Sequence, residues 1–217
     1  MGKLGGRRVL VTGASSGIGE GTARELAAAG ARVACAARCK ERIEALADEI
    51  GGFAVEAAVA DEAPFRRAVD EAADALGGLD AVLNIAGVQL LAPFSDGRSD
   101  EWRTLLDVNV FGPLVVTHQA LRHLREAGGG DVVMLGSIAG RQVTGAEGAV
   151  YSGTKFAVHA ISEALRQELH SERIRVMIVS RGWVNTELGQ NMQDEKIRER
   201  LQQRQEEIGL DPGEVGR

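Results

Sequence analysis

Tyrosine is almost missing from this chain: Tyr151 is the only one in 217 residues. Aromatic residues make up just 4%. No basic run with interleaved aromatics is present, so a nucleic-acid surface is not expected. The two cysteines, Cys35 and Cys39, are too few for a disulfide framework and read as small part-buried thiols of a reducing compartment. A metal site would need more ligands than these. The four histidines (His118, His123, His159, His170) all fall later, on helical stretches. No apolar run approaches the roughly 20 residues of a membrane span. The opening Met1 to Arg8 lacks the apolar core of a signal peptide. With a net charge of −6, no general attraction to nucleic acid or anionic membrane is expected. A cytoplasmic protein is the expectation. Lysine is scarce as well: Lys3, Lys40, Lys155 and Lys196 stand against 21 arginines.

What is present is an ordinary globular balance, 44% apolar and 26% charged, at a length that suits one α/β domain over 1–217. Short apolar runs alternate with amphipathic stretches. Strands are expected at Val9–Val11, Val33–Ala37, Phe53–Val59, Ala81–Leu83, Val132–Leu135 and Val176–Val179. Helices are expected at Glu20–Ala29, Glu41–Ile50, Pro64–Leu76, Asp100–Glu126, Val150–His170 and Asp194–Ile208, the last with a thin apolar stripe of Ile197, Leu201 and Ile208. Continuous apolar strands in strict alternation with helices imply a parallel sheet covered on both faces, a three-layer doubly wound α/β fold. Near the end, Asp211-Pro212-Gly213-Glu214 has the chemistry of a helix start: an Asp cap, Pro at the first helical position and Glu three after the cap. Either a helix is announced where the chain stops, implying a missing C-terminal piece, or the tail is frayed and the capping chemistry accidental.

After the first strand comes Thr12-Gly13-Ala14-Ser15-Ser16-Gly17-Ile18-Gly19, opening directly into a helix. Glycines at this spacing let backbone approach a ligand, and the free amides of a helix start favour a pyrophosphate. An acid at the end of the second strand would bind adenosine ribose hydroxyls. Here Ala37 stands there and Arg38 follows. A guanidinium can clasp a 2′-phosphate, with Ser15 and Ser16 adding hydroxyl donors, which favours NADP(H) over NAD(H). The alternative for Arg38 is an ordinary surface charge.

Tyr151 and Lys155 lie four apart on an expected helix and so share a face. A free phenol titrates near pH ~10, too high to exchange protons efficiently at neutrality, and a nearby ammonium lowers that value. Set beside the glycine loop and Ser137, the pair resembles the short-chain dehydrogenase/reductase family from about Leu4 onward. The wording is most similar to bacterial carbonyl reductases of the clavaldehyde dehydrogenase type, with secondary metabolism as the implied setting.

That resemblance implies a seven-stranded Rossmann sheet and hydride transfer to or from a nicotinamide. It makes Tyr151 the general acid for carbonyl reduction, or the base for alcohol oxidation. Lys155 becomes the ribose anchor, Ser137 the donor to the substrate oxygen, and Asn109 the holder of a proton-relay water. Read alone, Ser137 could be a strand-end turn residue and Asn109 a helix-bending polar one. Asp61 matches the acid beside the adenine, or is a turn or cap residue. Asn84-Ile85-Ala86-Gly87 matches the family's Asn-Asn-Ala-Gly, with Asn84, Ala86 and Gly87 facing the cofactor and Ile85 losing a polar side chain. After the sixth strand Arg181-Gly182 replaces Pro-Gly, while Val184 and Thr186 match positions at the carboxamide end.

The family's last helix and seventh strand are expected to be absent. The long helices Asp100–Glu126 and Val150–His170 leave a homodimer or homotetramer interface, the dimer favoured. A substrate lid is expected over 189–210, with Val88, Gln89, Leu90, Leu91, Arg141, Gln142, Val143, Trp183 and Met192 as candidate lining, Val143 and Trp183 foremost. The substrate would be a small or medium carbonyl compound. Beside the NADP(H)-dependent reductase stand two alternatives: an alcohol dehydrogenase, and a catalytically silent cofactor-binding partner protein.

Overall fold

The computed structural model describes residues 2–143, 145–190 and 192–216. Six parallel strands form one sheet in the order β3-β2-β1-β4-β5-β6. They are β1 (Arg8–Thr12), β2 (Arg32–Ala37), β3 (Phe53–Glu56), β4 (Ala81–Asn84), β5 (Gly130–Ser137) and β6 (Ile174–Arg181). The helices are α1 (Gly17–Ala28), α2 (Lys40–Ile50), α3 (Glu62–Leu76), α4 (Ser99–Leu106), α5 (Gly112–Glu126), α6 (Ala149–Leu169), α7 (Glu195–Ile208) and α8 (Pro212–Gly216). This is the doubly wound Rossmann-like arrangement that the alternation implies. Strand order reverses between β1 and β4, where Val9 pairs Val33 on one side and Ala81 on the other. The carboxyl ends of the strands at that reversal are where open α/β sheets bind ligands.

The period of a strand explains the two core layers. Leu10 joins Ala34, Val82, Val132 and Met134 under α3, α5 and α6, around Phe65, Leu76 and Leu124. Val9 and Val11 point the other way, with Val33 and Cys35, under α1 and α2 against Ile43 and Leu46. Cys35 is fully buried, and the apolar surroundings push its thiol up to about 12, so it is packing rather than chemistry.

Three expectations change, and one open alternative is decided. The third strand stops at Glu56 rather than Val59. The long helix over Asp100–Glu126 is interrupted by a π-helical turn at Asp107–Phe111, which separates α4 from α5. The stripe on α7 runs through Ile197, Leu201 and Gln205, while Ile208 is exposed. The Asp211-Pro212 start does form a helix, α8, in which the Asp211 carboxylate accepts from the Gly213 amide at 2.8 Å.

Candidate active site

The glycine loop is built by close approach. Gly13 has φ +70, and a Cβ there would lie 2.7 Å from the Ala86 Cα, so strand-end backbone and loop touch. A Cβ on Gly19 would lie 2.2 Å from the Gly13 carbonyl oxygen. Thr12 ties the two loops together: its hydroxyl accepts from the amides of Ile85 and Ala86, both at 3.1 Å, and donates to the Leu83 carbonyl at 3.3 Å. Sequence reasoning passed over this threonine. Gly13→Ala should therefore destabilise the protein by about 2–3 kcal/mol, from left-handed backbone strain plus overpacking. Urea unfolding midpoints check this.

Above the loop runs a groove of about 450 Å³, lined by Gly13, Ser15, Ser16, Ala37, Arg38, Asp61, Ala86, Gly87 and Val88 among others. Ser16 holds the N-cap position of α1 yet its hydroxyl makes no capping bond, and Asp61 likewise leads α3 without capping it. Among the described residues Arg38 has no acidic partner, in contrast to Arg24 and Arg42, which pair with Glu49 and Glu187. Asn84 instead turns to Thr117, donating at 3.0 Å, and its carbonyl oxygen is buried without a partner. Ile18 is buried in the first turn of α1. Val184 is fully buried and bridges to Leu210, while Thr186 packs on Gly17, whose Cβ would meet it at 3.0 Å.

The π turn explains Asn109. The widened turn carries it, 1% exposed, against the strand-four loop, where its carboxamide accepts from the Val88 amide and donates to the Val88 carbonyl, each at 2.9 Å. It also donates to the Thr154 hydroxyl at 3.3 Å, which in turn donates to the Tyr151 carbonyl at 2.7 Å. The site asparagine and the tyrosine helix are thus one hydrogen-bonded unit.

On α6, Tyr151 is 4% exposed and packs with Leu105 and Ala139. Lys155 is buried one turn on and donates to the Leu135 carbonyl at 3.0 Å. A Cβ on Gly87 would lie 3.9 Å from its ammonium and 3.3 Å from the Asn109 oxygen, so Lys155 and Asn109 flank the groove wall. Burial, and to a lesser extent the charge of Arg181, pushes the Lys155 ammonium down to about 7. Ser137 ends β5, its hydroxyl accepting from the Ala139 amide at 3.2 Å.

A second cavity, about 480 Å³, opens beside the groove and contains both Ser137 and Tyr151. Gln89, Leu91 and Trp183 line it as expected for a pocket. Val143 does not: it stands 66% exposed in the irregular stretch between β5 and α6. Val88 lies in the groove instead, and Met192 is buried in the packing of α7 against Leu90, Leu91 and Trp183. Arg141 and Gln142 are not in the lining. The sequence reading missed Glu147, Arg200, Arg204 and Gln205, which the short 3-10 turn before α6 and the helix α7 bring to the cavity. The only local signal was the four-residue spacing of Arg200, Arg204 and of Leu201, Gln205.

Residues 7–197 match the short chain dehydrogenase family, and the chain belongs to it. An uncharacterized oxidoreductase of Staphylococcus aureus (strain USA300) is 38% identical over 181 residues, 82% of this chain and 78% of that protein. A short chain dehydrogenase from Burkholderia cenocepacia J2315, solved in complex with NADP, superposes with a TM-score of 0.87 at 33% identity, covering 99% of this chain and 89% of that one. The closed form of serine dehydrogenase complexed with NADP+ superposes at 0.85 with 30% identity, covering 96% and 85%. The chain is therefore a short-chain oxidoreductase. Among the described residues no helix is long and apolar enough to cross a membrane, and no group of three or more His, Cys, Asp or Glu is placed to hold a metal.

Proposed function

We propose that this protein is an NADP(H)-dependent reductase of aldehydes or ketones, acting through Tyr151 as general acid. The observation that carries the reading is the placement of Tyr151 and Ser137 in one cavity while Lys155 and Asn109, on the same hydrogen-bonded unit, flank the groove. The groove fits a dinucleotide: its floor tolerates no Cβ at Gly13, and the unpartnered Arg38 and free Ser15 and Ser16 hydroxyls stand at one end.

When bound, a nicotinamide cofactor supplies the hydride. Gly13, Ser15, Ser16, Gly17, Ile18 and Gly19 would hold its pyrophosphate, with Arg38 on a 2′-phosphate and Asp61 by the adenine. Asn84, Ala86, Gly87, Val184 and Thr186 would hold the nicotinamide half. The chain's own residues then do the rest. Ser137 donates to the substrate oxygen and stabilises its developing charge. Tyr151 gives that oxygen a proton, and Lys155, charged beside the ribose and phosphates, lowers the cost of phenolate. Asn109 keeps α6 in register and holds the relay water. The segment 189–210 serves as the lid, within one catalytic unit of residues 1–217. A homodimer through α4, the π turn, α5 and α6, where Phe111, Leu114 and Phe156 are exposed, is the assembly that fits, in the cytoplasm.

NADP(H) is favoured because Arg38 has no acidic partner among the described residues and two solved relatives above hold NADP. The test is consumption of NADPH and NADH over a panel of aldehydes and ketones. Arg38→Glu should lower kcat/KM for NADPH by at least ~50-fold and leave NADH within a few-fold, since a charge-assisted phosphate contact is replaced by repulsion. An unchanged NADPH/NADH ratio in that variant would remove Arg38 from the cofactor assignment.

A further inference from the structure

The substrate cavity is charged in a way that the chain as a whole is not. The protein carries a net charge of −6, yet its cavity is lined by three arginines and one carboxylate. Arg200 is spoken for: its guanidinium meets the Glu147 carboxylate at 3.1 Å. That pair shows the cavity wall already reading a carboxylate. Among the described residues the other two arginines have none.

Arg181 ends β6, where the family resemblance calls for proline. Its Nε is buried with no hydrogen-bond partner, and one Nη only reaches the neighbouring Gly182 carbonyl at 3.4 Å. A buried unpaired donor on a cation is costly, and a ligand oxygen would satisfy it. Arg204 lies one turn after Arg200 on α7 and has no ionic partner among the described residues. Like charges four apart on a helix repel, so this pair gains nothing within the helix itself. Arg181, with its unpartnered Nε, and the exposed Arg204 both line the cavity that holds Tyr151 and Ser137.

We propose that the carbonyl substrate carries a carboxylate, held by Arg181 and Arg204 while its carbonyl faces Tyr151. This rests on the reductase reading for the identity of the cavity as a substrate site. A guanidinium fork matches a carboxylate in two parallel charge-assisted hydrogen bonds. Arg181 and Arg204 come from β6 and α7, so an acid held by both would bridge the sheet and that helix. Glu147 holds Arg200, the third arginine of the lining, and its own negative charge opposes an acid in the cavity.

Two measurements test this. In calorimetry on the NADPH-loaded protein, succinate should bind at least tenfold more tightly than its uncharged diamide. Arg181→Gln and Arg204→Gln should each weaken succinate about tenfold. Glu147→Gln, which frees Arg200, should tighten it, a gain that loosened structure would not mimic. In turnover, succinic semialdehyde should exceed its methyl ester at least tenfold in kcat/KM, and that ratio should collapse in both arginine variants.

Succinate binding no tighter than the diamide, or unmoved by both substitutions, overturns the proposal. So does preferred turnover of glyceraldehyde 3-phosphate over the semialdehyde, which would assign the arginines to phosphate. Tight, arginine-dependent succinate binding with no reduction of any carbonyl would support the anion site and sink the reductase reading instead.

Discussion

Tyr151→Phe is expected to lower kcat/KM for carbonyl reduction by about 10²–10⁴-fold, the usual contribution of a positioned general acid. The NADPH dissociation constant should stay within a few-fold of the parent. The substitution removes one oxygen and keeps the ring, so the packing with Leu105 and Ala139 survives and the thermal midpoint should barely move. The Thr154 bond goes to the Tyr151 backbone carbonyl and is untouched by the change, so the link to Asn109 also persists. Stopped-flow single turnovers with saturating NADPH separate binding from chemistry. Equal turnover by the variant would remove tyrosine from the mechanism.

Lys155→Met is expected to make a better-folded but inactive protein. The Lys155 ammonium has been pushed from its ordinary 10.5 to about 7 by burial and by the charge of Arg181. Among the described residues its one side-chain hydrogen bond is to the Leu135 carbonyl. The unfolded chain thus holds this proton more tightly than the folded one between pH 7 and 10.5. Across that window Lys155 makes stability rise with pH, and its full penalty is felt below about 7. Methionine fills the volume without the charge. In the cofactor-free protein the thermal midpoint should rise by ~5 °C at pH 6, at the usual few degrees per kcal/mol for this size, and the gain should fade toward pH 10. A gain that is flat with pH would show that burial of the charge is not the cause.

The same lysine should impose a proton on cofactor binding. Anionic phosphates and ribose oxygens favour the ammonium, so NADPH binding takes up a proton above pH 7. Its dissociation constant should then rise by up to about tenfold per pH unit. This dependence vanishes in the methionine variant, which also loses turnover by at least ~10²-fold. A strained, poorly solvated group kept at a site at the expense of stability is what a functional role predicts.

The strands and the glycine loop were legible because their signals are local. Val9-Leu10-Val11 is apolar at every position, and Gly13, Gly17 and Gly19 mark a backbone that must come close to something. The π turn was not legible. Its i to i+5 pattern is imposed by Asn109 reaching across to Val88 and Thr154, partners 21 and 45 residues away. The end of the α7 stripe was misread for a related reason: hydropathy favoured Ile208, but Gln205 donates to the Leu188 carbonyl at 3.5 Å and is buried there. Val143 looked like lining by its position after Ser137, and the path of the chain carries it to solvent.

By itself, then, the sequence determined the layered α/β plan, the close-packed glycine loop and the Tyr151–Lys155 face, because periods of 2 and 3.6 and a four-residue spacing are properties of a local backbone. Only the tertiary structure decided that Ser137, Tyr151, Arg181 and Arg204 share one cavity, since they come from β5, α6, β6 and α7. It also decided that Arg200 is paired while Arg181 and Arg204 are not. Which charges are neutralised depends on what folding brings within a few ångströms, and no local pattern carries that information.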